Sequence, residues 1–216
     1  MNLEPHKREF AFPGLVVFIT TEDEQGVRNV APYSNLMPIL RPTDMVCIAS
    51  WHKRDTLKNI RKTKEFVLNV PPVDMVGHVI PTAKPWPPSV DEFEASGLTP
   101  RPSKTIKPPG IQGCLAWMEC TLVRQYVEKE YVLIVGKVKL LEIDERFLDA
   151  QGGLDPGKSE PLMALLNNTG MRFVTLKDTG HSEPYGAMFF DGRDALADLY
   201  RDDAVGVVEG KDGGAK

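Results

Sequence analysis

Ten of the chain's eighteen prolines fall between positions 71 and 110, in PPVDMVGHVIPTAKPWPPSVDEFEASGLTPRPSKTIKPPG. Proline has no backbone N–H, breaks helix interiors and is confined to the margins of sheets. Apart from short helical turns at 75–79 and 91–96, this stretch must therefore run extended over a surface. A connection of this length is uncommon inside a compact domain, and such segments usually serve as lids or binding arms. The alternation Pro85, Trp86, Pro87, Pro88 predicts an ordered cover rather than a loose linker. Trp86 packs on a ligand, on a neighbouring subunit or on its own domain; the sequence leaves the three open.

The segments on either side read as β-structure. Residues 15–21 are β-branched and apolar, Asp23, Glu24, Gln25 and Gly26 supply a turn, and 27–31 return. Strands are predicted at 44–51 and 65–70, with a short helix at 55–63 between them carrying Leu57 and Ile60 at helical spacing. Pro71 and Pro72 stop the strand at 65–70. The strongest hairpin pattern joins 111–123 to 131–143 through a turn at 128–130, with Leu115, Trp117 and Val123 on one parity. Beyond Arg146 the pattern weakens: a short helix is predicted at 161–168, a strand at 171–176, a helix at 194–200, and a frayed tail at 201–216. Asn69 reads as a buried hydrogen-bonding residue in preference to an inward-facing site residue, and Glu119 as a carboxylate that faces solvent or pairs with a base such as Lys137. Six or more short strands and few helices predict a closed or nearly closed antiparallel barrel in a single domain spanning 1–200.

Composition narrows the function classes. The 216 residues include 42% hydrophobic and 26% charged side chains, an ordinary soluble balance, with net charge −4. Net acidity and 8% aromatic content without a basic-aromatic stripe argue against a nucleic-acid groove. No run approaches the ~18 apolar residues of a membrane span, and the N-terminus lacks the apolar core of a signal peptide, so the expected location is cytoplasmic. Cys47, Cys114 and Cys120 show no CxxC spacing and no pairing with histidine that resembles a metal cage, and they read as buried, inert thiols.

The stretch NVAPYSNLMPILRPTDMVCIASWHKRDTLKN carries the densest chemistry. Two apolar runs each end in a polar cluster: Asn29, Ala31, Pro32, Tyr33, Ser34 and Asn35, then Ser50, Trp51, His52, Lys53, Arg54, Asp55, Thr56 and Asn59, of which Asp55 counts against an anion unless it turns away to cap. The second cluster has the order strand, polar turn, helix start. Free N–H groups at a helix start and the helix dipole favour an anion there. Arg54 offers a forked pair of charge-assisted hydrogen bonds and Thr56 a hydroxyl. The competing reading is a plain helix cap by Asp55 or Thr56, with Lys53 and Arg54 solvated.

GLVVFITTEDEQGVRNVAPYS followed by RDTLKNIRKTKEFVLNV, then DEFEASGLTP, PSKTIKPPGI, LAWMECTLV and YVLIVGKVKLLEID, resembles the flavin-reductase-like FMN-binding split barrel family. The resemblance covers roughly 13–144, with the motifs in family order. It implies an antiparallel split β-barrel, a homodimer, and FMN at the barrel rim near the dimer interface, with NAD(P)H stacking on the flavin without a Rossmann domain. Carried onto this chain, Asn29, Ala31, Pro32, Ser34 and Asn35 line the isoalloxazine ring. Ser50 and Trp51 approach the flavin edge or ribityl chain, and His52, Lys53, Arg54, Thr56 and Asn59 hold the phosphate. Many members carry a histidine near the position of Glu130 and Tyr131, which this chain lacks; His181 is the candidate substitute, though a surface loop is its plainer setting, and His78 receives no role.

The implied activity is hydride transfer from NADH or NADPH to FMN and on to an acceptor, either free flavin for a partner monooxygenase or a ferric chelate. The protein then supplies positioning and electrostatics while the cofactor carries the chemistry. The alternatives are an FMN electron carrier without NAD(P)H activity and a non-catalytic split barrel acting through protein contacts.

Overall fold

The computed structural model describes residues 13–39, 44–150, 152–167 and 169–193. In chain order the elements are β1 (Gly14–Leu15), β2 (Val17–Glu22), β3 (Arg28–Tyr33), β4 (Leu36–Pro38), β5 (Met45–Ser50), α1 (Asp55–Thr63) and β6 (Glu65–Val70). A 3-10 segment (Val73–His78), α2 (Val79–Ala83), α3 (Glu92–Ala95), β7 (Pro100–Arg101) and β8 (Gly110–Ile111) follow. The long hairpin is β9 (Ala116–Val127) and β10 (Val132–Ile143), and the described chain closes with β11 (Met163–Asn167), β12 (Gly170–Val174) and a 3-10 segment (Tyr185–Met188). The helix predicted at 194–200 and the tail at 201–216 lie outside the described residues.

Seven strands form one antiparallel sheet in the order β3-β2-β6-β9-β10-β5-β4. Its two outermost strands, β3 and β4, are consecutive in the chain and joined only by Ser34 and Asn35. Two residues span a few ångströms, so the sheet must curl until its margins nearly meet. The result is a split antiparallel barrel, nearly closed as the strand count predicts and split as the resemblance implies. The seam is held by Tyr33 Oη and Ser50 Oγ at 3.1 Å and by the Asn35 amide donating to the Ala49 carbonyl at 2.9 Å.

Alternation places one apolar set inside the curl and another outside it. Val17, Ile19, Val46, Ile48, Phe66, Leu68, Leu115 and Ile134 fill the interior, closed at one end by Leu57 and Ile60 of α1. Phe18, Val30, Val67, Ile111 and Trp117 face outward and are covered by Phe93, Leu98, Leu162 and Ala164. The proline-rich segment is thus the cover of a second core. Trp86 donates its indole N–H to the Pro81 carbonyl at 3.0 Å and so pins the segment to itself. Asn69 joins the two layers: its amide donates to the Phe18 carbonyl at 2.9 Å and its oxygen accepts from the Ile111 N–H at 2.8 Å.

Four expectations are corrected. The predicted strand 111–123 is broken at Gln112 and Gly113, where Gly113 has φ +90, and β9 begins only at Ala116. Val123 is extra in the ladder, since Val135 pairs with Arg124 and Gly136 with Leu122, so the bulge turns Val123 outward. Gly136 at this bulge allows the Phe66 ring to lie where a Cβ would sit. The described part of the helix predicted at 161–168, residues 161–167, is not helical: β11 pairs with β1 and β12, and Leu162 N–H bonds the Pro71 carbonyl at 3.0 Å. Long-range pairing that buries Leu162 and Ala164 outweighs local helix propensity there. Glu119 neither faces solvent nor meets Lys137: it is 2% exposed and accepts from Lys104 N–H, Thr105 N–H and Thr105 Oγ1 at 2.7, 2.7 and 2.5 Å. Finally, neither Asp55 nor Thr56 caps α1; Arg54 is the N-cap residue, and no side chain accepts at that end.

Candidate functional site

The seam and the start of α1 gather the polar clusters of 29–35 and 50–59 into one region. β5 ends at Ser50, and a four-residue turn, 51–54, leads directly into α1. The first intrahelical bond runs from the Lys58 N–H to the Arg54 carbonyl at 3.1 Å. The preceding N–H groups carry the usual unpaired positive end of a helix. With no side-chain cap, that end is open to an external anion.

Basic side chains surround it. His52, Lys53, Arg54, Lys58, Arg61 and Lys62 line an open groove of about 520 Å³ in which Asp55 is the sole acid. Trp51 is 66% exposed, and the Arg54 guanidinium lies 5.0 Å from its ring centre, a cation–π contact that holds both at the groove's mouth. The Arg61 Nε donates to Gln125 Oε1 at 2.9 Å, while Lys62 pairs weakly with Glu24 at 3.9 Å.

The buried polar residues of the region are mutually engaged. The Asn29 amide donates to Thr56 Oγ1 at 3.1 Å, tying β3 to the first turn of α1. The Asn59 amide donates to Thr21 Oγ1 at 3.1 Å, so its nitrogen is turned toward β2. Ser50 meets Tyr33 across the seam. Ala31 and Pro32 lie on the edge strand β3, where a proline is tolerated, and Ser34 and Asn35 form the seam link itself. His52 Nε2 donates to the Glu128 carbonyl at 2.8 Å. A neutral His52 therefore presents an acceptor, not a donor, at Nδ1. Of the set predicted to hold a phosphate, Lys53, Arg54 and the start of α1 face the groove together, while Thr56 and Asn59 belong to its buried backing.

Glu92, which the sequence reading did not single out, adds to the region. Lys58 and Asp55 are shared between the groove and a second, narrow cleft of about 10 Å³, which Arg28, Asn29, Asn59 and Glu92 also line. Glu92 is 8% exposed, and its Oε2 accepts from the Val30 N–H at 2.8 Å, covering the outer edge of β3. Burial pushes its carboxyl up to about 7; the Val30 bond opposes this, while Asp55 and Asp91 add to it. Asp91 caps α3 through the Phe93 and Glu94 N–H groups and accepts from Arg28 Nε at 2.6 Å. The signal was the DEF triplet after Pro87 and Pro88, but its partner Arg28 stands more than sixty positions earlier.

The remaining titratable candidates sit elsewhere. Cys114 and Cys120 are buried, while Cys47 is only half-buried; burial raises all three thiols. His78 donates to the Ser96 carbonyl at 2.9 Å, and His181 is exposed beside Glu183 at 3.2 Å, in the loop after β12. Among the described residues there is no cluster suited to a metal ion, and no helix is long and apolar enough to cross a membrane.

Comparison with known proteins adds to this geometry. Residues 9–167 match the flavin reductase like domain. A protein of Methanothermobacter thermautotrophicus, whose name assigns no function, is 50% identical over 205 residues, covering 93% of this chain and 97% of that protein. Among solved structures, flavoredoxin of Desulfovibrio vulgaris (Miyazaki F) superposes with TM-score 0.76 at 18% identity, over 88% of this chain and 100% of that one. Nitrilotriacetate monooxygenase component B from Bacillus cereus gives 0.73 at 23% identity, over 85% and 98%.

Proposed function

Because the chain belongs to the flavin reductase-like domain family, we propose that it is an FMN-binding oxidoreductase that takes hydride from NADH or NADPH and passes electrons to an acceptor. The observation that carries this reading is the uncapped start of α1 facing a groove of cations. Its donor set suits a phosphate monoester: backbone N–H groups, the Arg54 guanidinium, and the Lys53 and Lys58 ammonium groups. Asn29, Ala31, Pro32, Ser34 and Asn35 at the seam would border the flavin ring, with Ser50 and Trp51 beside them. Asn29 would act partly through Thr56, which it holds in place. Bound FMN would supply the hydride-accepting centre, and the chain's residues would orient it and screen it from water. No protein acid or base is needed for hydride delivery to such a ring, so the lack of a histidine at Glu130 and Tyr131 is compatible with the activity.

A homodimer and a monooxygenase partner or small-molecule acceptor belong to the same proposal; the fold likeness to a monooxygenase component B supports it. The likeness to a flavoredoxin supports a second reading, an electron carrier reduced by another protein. An absorbance spectrum of the dialysed protein, repeated anaerobically with NADH and then NADPH, separates the two. Flavin bands that bleach identify a reductase, and bands that persist identify a carrier. Replacing Arg54 with Ala weakens FMN binding by about tenfold, or about 1.4 kcal/mol. Unchanged affinity in a fluorescence titration would sink the phosphate assignment.

A further inference from the structure

Glu92 stands in an unusual place for a carboxyl group. It opens α3 in the middle of the proline-rich cover and is buried against the outer edge of β3, where it accepts the Val30 N–H at 2.8 Å. The narrow cleft it lines reaches Asn29, Asp55, Lys58 and Asn59, the residues that back the start of α1. Glu92 therefore sits on the cover and lines a cleft shared with the rear of the proposed phosphate site. The charged groups around it come from four elements. Asp91 and Glu94 lie on its own turn, Arg28 on β3, Asp23 in the β2–β3 turn, and Asp55 and Lys58 on α1. Arg28 is already engaged by Asp91, so Lys58 is the cation left to balance this cleft.

We infer that Glu92 is a positioning residue whose protonation state sets the strength of anion binding at the start of α1. This rests on the phosphate reading above. Neutral Glu92 still presents a carbonyl oxygen to the Val30 N–H, so the cover stays fastened, and Lys58 is left to the groove. Ionised Glu92 places a second negative charge behind Asp55, draws Lys58 inward and opposes a phosphate. With burial holding its pKa at about 7, the change falls within a working pH range.

The test is a set of fluorescence titrations with FMN and with riboflavin at about pH 6 and about pH 8.5, either side of an ordinary neutral point. Wild type, Glu92→Gln and Arg54→Ala are compared. Glutamine keeps the acceptor for Val30 and cannot ionise. The second ionisation of FMN's phosphate, near pH 6, is common to all proteins and cancels in the ratio of wild type to E92Q. That ratio should fall by about fivefold between the two pH values, a size typical of one added charge at partly screened range. Riboflavin, which has no phosphate, should show no such fall. A ratio that stays flat, or an equal fall with riboflavin, overturns the role of Glu92 while a weakened R54A leaves the phosphate site standing. Unchanged FMN affinity in R54A overturns both. Should E92Q fail to fold, carbon NMR of the wild-type Glu92 carboxyl supplies the readout: a midpoint below about 5 overturns the inference, and one tracking FMN affinity supports it.

Discussion

Two buried carboxyl groups, Glu92 and Glu119, fasten the proline-rich cover to the barrel, and they do so differently. Glu119 points out from a central strand and receives three donors from Lys104 and Thr105. Among the described residues Glu92 points inward from the cover and receives one, from Val30. A carboxyl that is buried with a single donor and acidic neighbours is pushed toward its neutral form. The difference teaches where the cover is fixed and where it can respond. The end at 102–109 is locked by Glu119, with Glu142 adding bonds to Arg101 and Lys104 and Glu65 one to the Lys107 N–H. The end at 91–96 is held by groups whose charge state can change, and it is the end that abuts the candidate site.

The comparison breaks most visibly at Glu119. Glu119→Ala strands three donors in a buried position, and we expect a loss of about 4 kcal/mol. Thermal unfolding should show this as a fall in Tm of roughly 10 °C, with FMN affinity per folded molecule unchanged. A loss under about 1 kcal/mol would mean that solvent replaces the carboxylate easily.

Glu92 gives a smaller effect that depends on pH. Its folded pKa lies above the ordinary value of 4.5, so the fold holds a proton that the unfolded chain releases. Its stabilising contribution is full below about pH 4.5 and is lost as pH rises toward about 7. Denaturant titrations should show wild type losing about 2–3 kcal/mol more than E92Q across that window, and a constant offset above it. Parallel curves would remove the contrast between the two carboxyl groups.

The smallest effect sharpens it. Arg28→Ala deletes the pair with Asp91 and the contact 5.3 Å from the Phe93 ring. Both partners are about a quarter exposed, so solvent screening limits the loss to about 1 kcal/mol. The informative readout is Glu92: with the partner of Asp91 gone, its carboxyl should rise further, and E92Q should then relieve more in the R28A background than alone.

The elements formed by local pattern were legible in the amino-acid sequence. The helix Asp55–Thr63 and the strand Glu65–Val70 fall where the spacing of Leu57 and Ile60 and the β-branched run put them. Two of the misreadings share one cause, a partner far along the chain. Residues 163–167 carry helix formers, yet β1 and β12 claim them as a strand. Glu119 has Lys137 nearby on the adjacent strand, but the backbone of a distant proline-rich loop reaches it first. At the site, the turn from Ser50 into α1 was readable, and so was the choice between a cap and an anion site; that no side chain takes the cap was not. The sharing of Asn29 with Thr56, and the engagement of His52 Nε2 by Glu128, depend on how strands meet, which no local pattern encodes.

The two-residue link at Ser34 and Asn35 also bears on how the molecule assembles in time. β5, which completes the far side of the seam, pairs Met45 with Lys137 and Ser50 with Val132, so it must wait for a hairpin made much later in the chain. Contacts between such distant positions are slow to form. The region around Ser50 and Arg54 is then among the last parts of the barrel to settle, and a chain on its way to the native state offers no formed site. Added FMN should accordingly leave the refolding rate nearly unchanged and act almost wholly by slowing unfolding, a partition that stopped-flow chevrons measured with and without the cofactor would display.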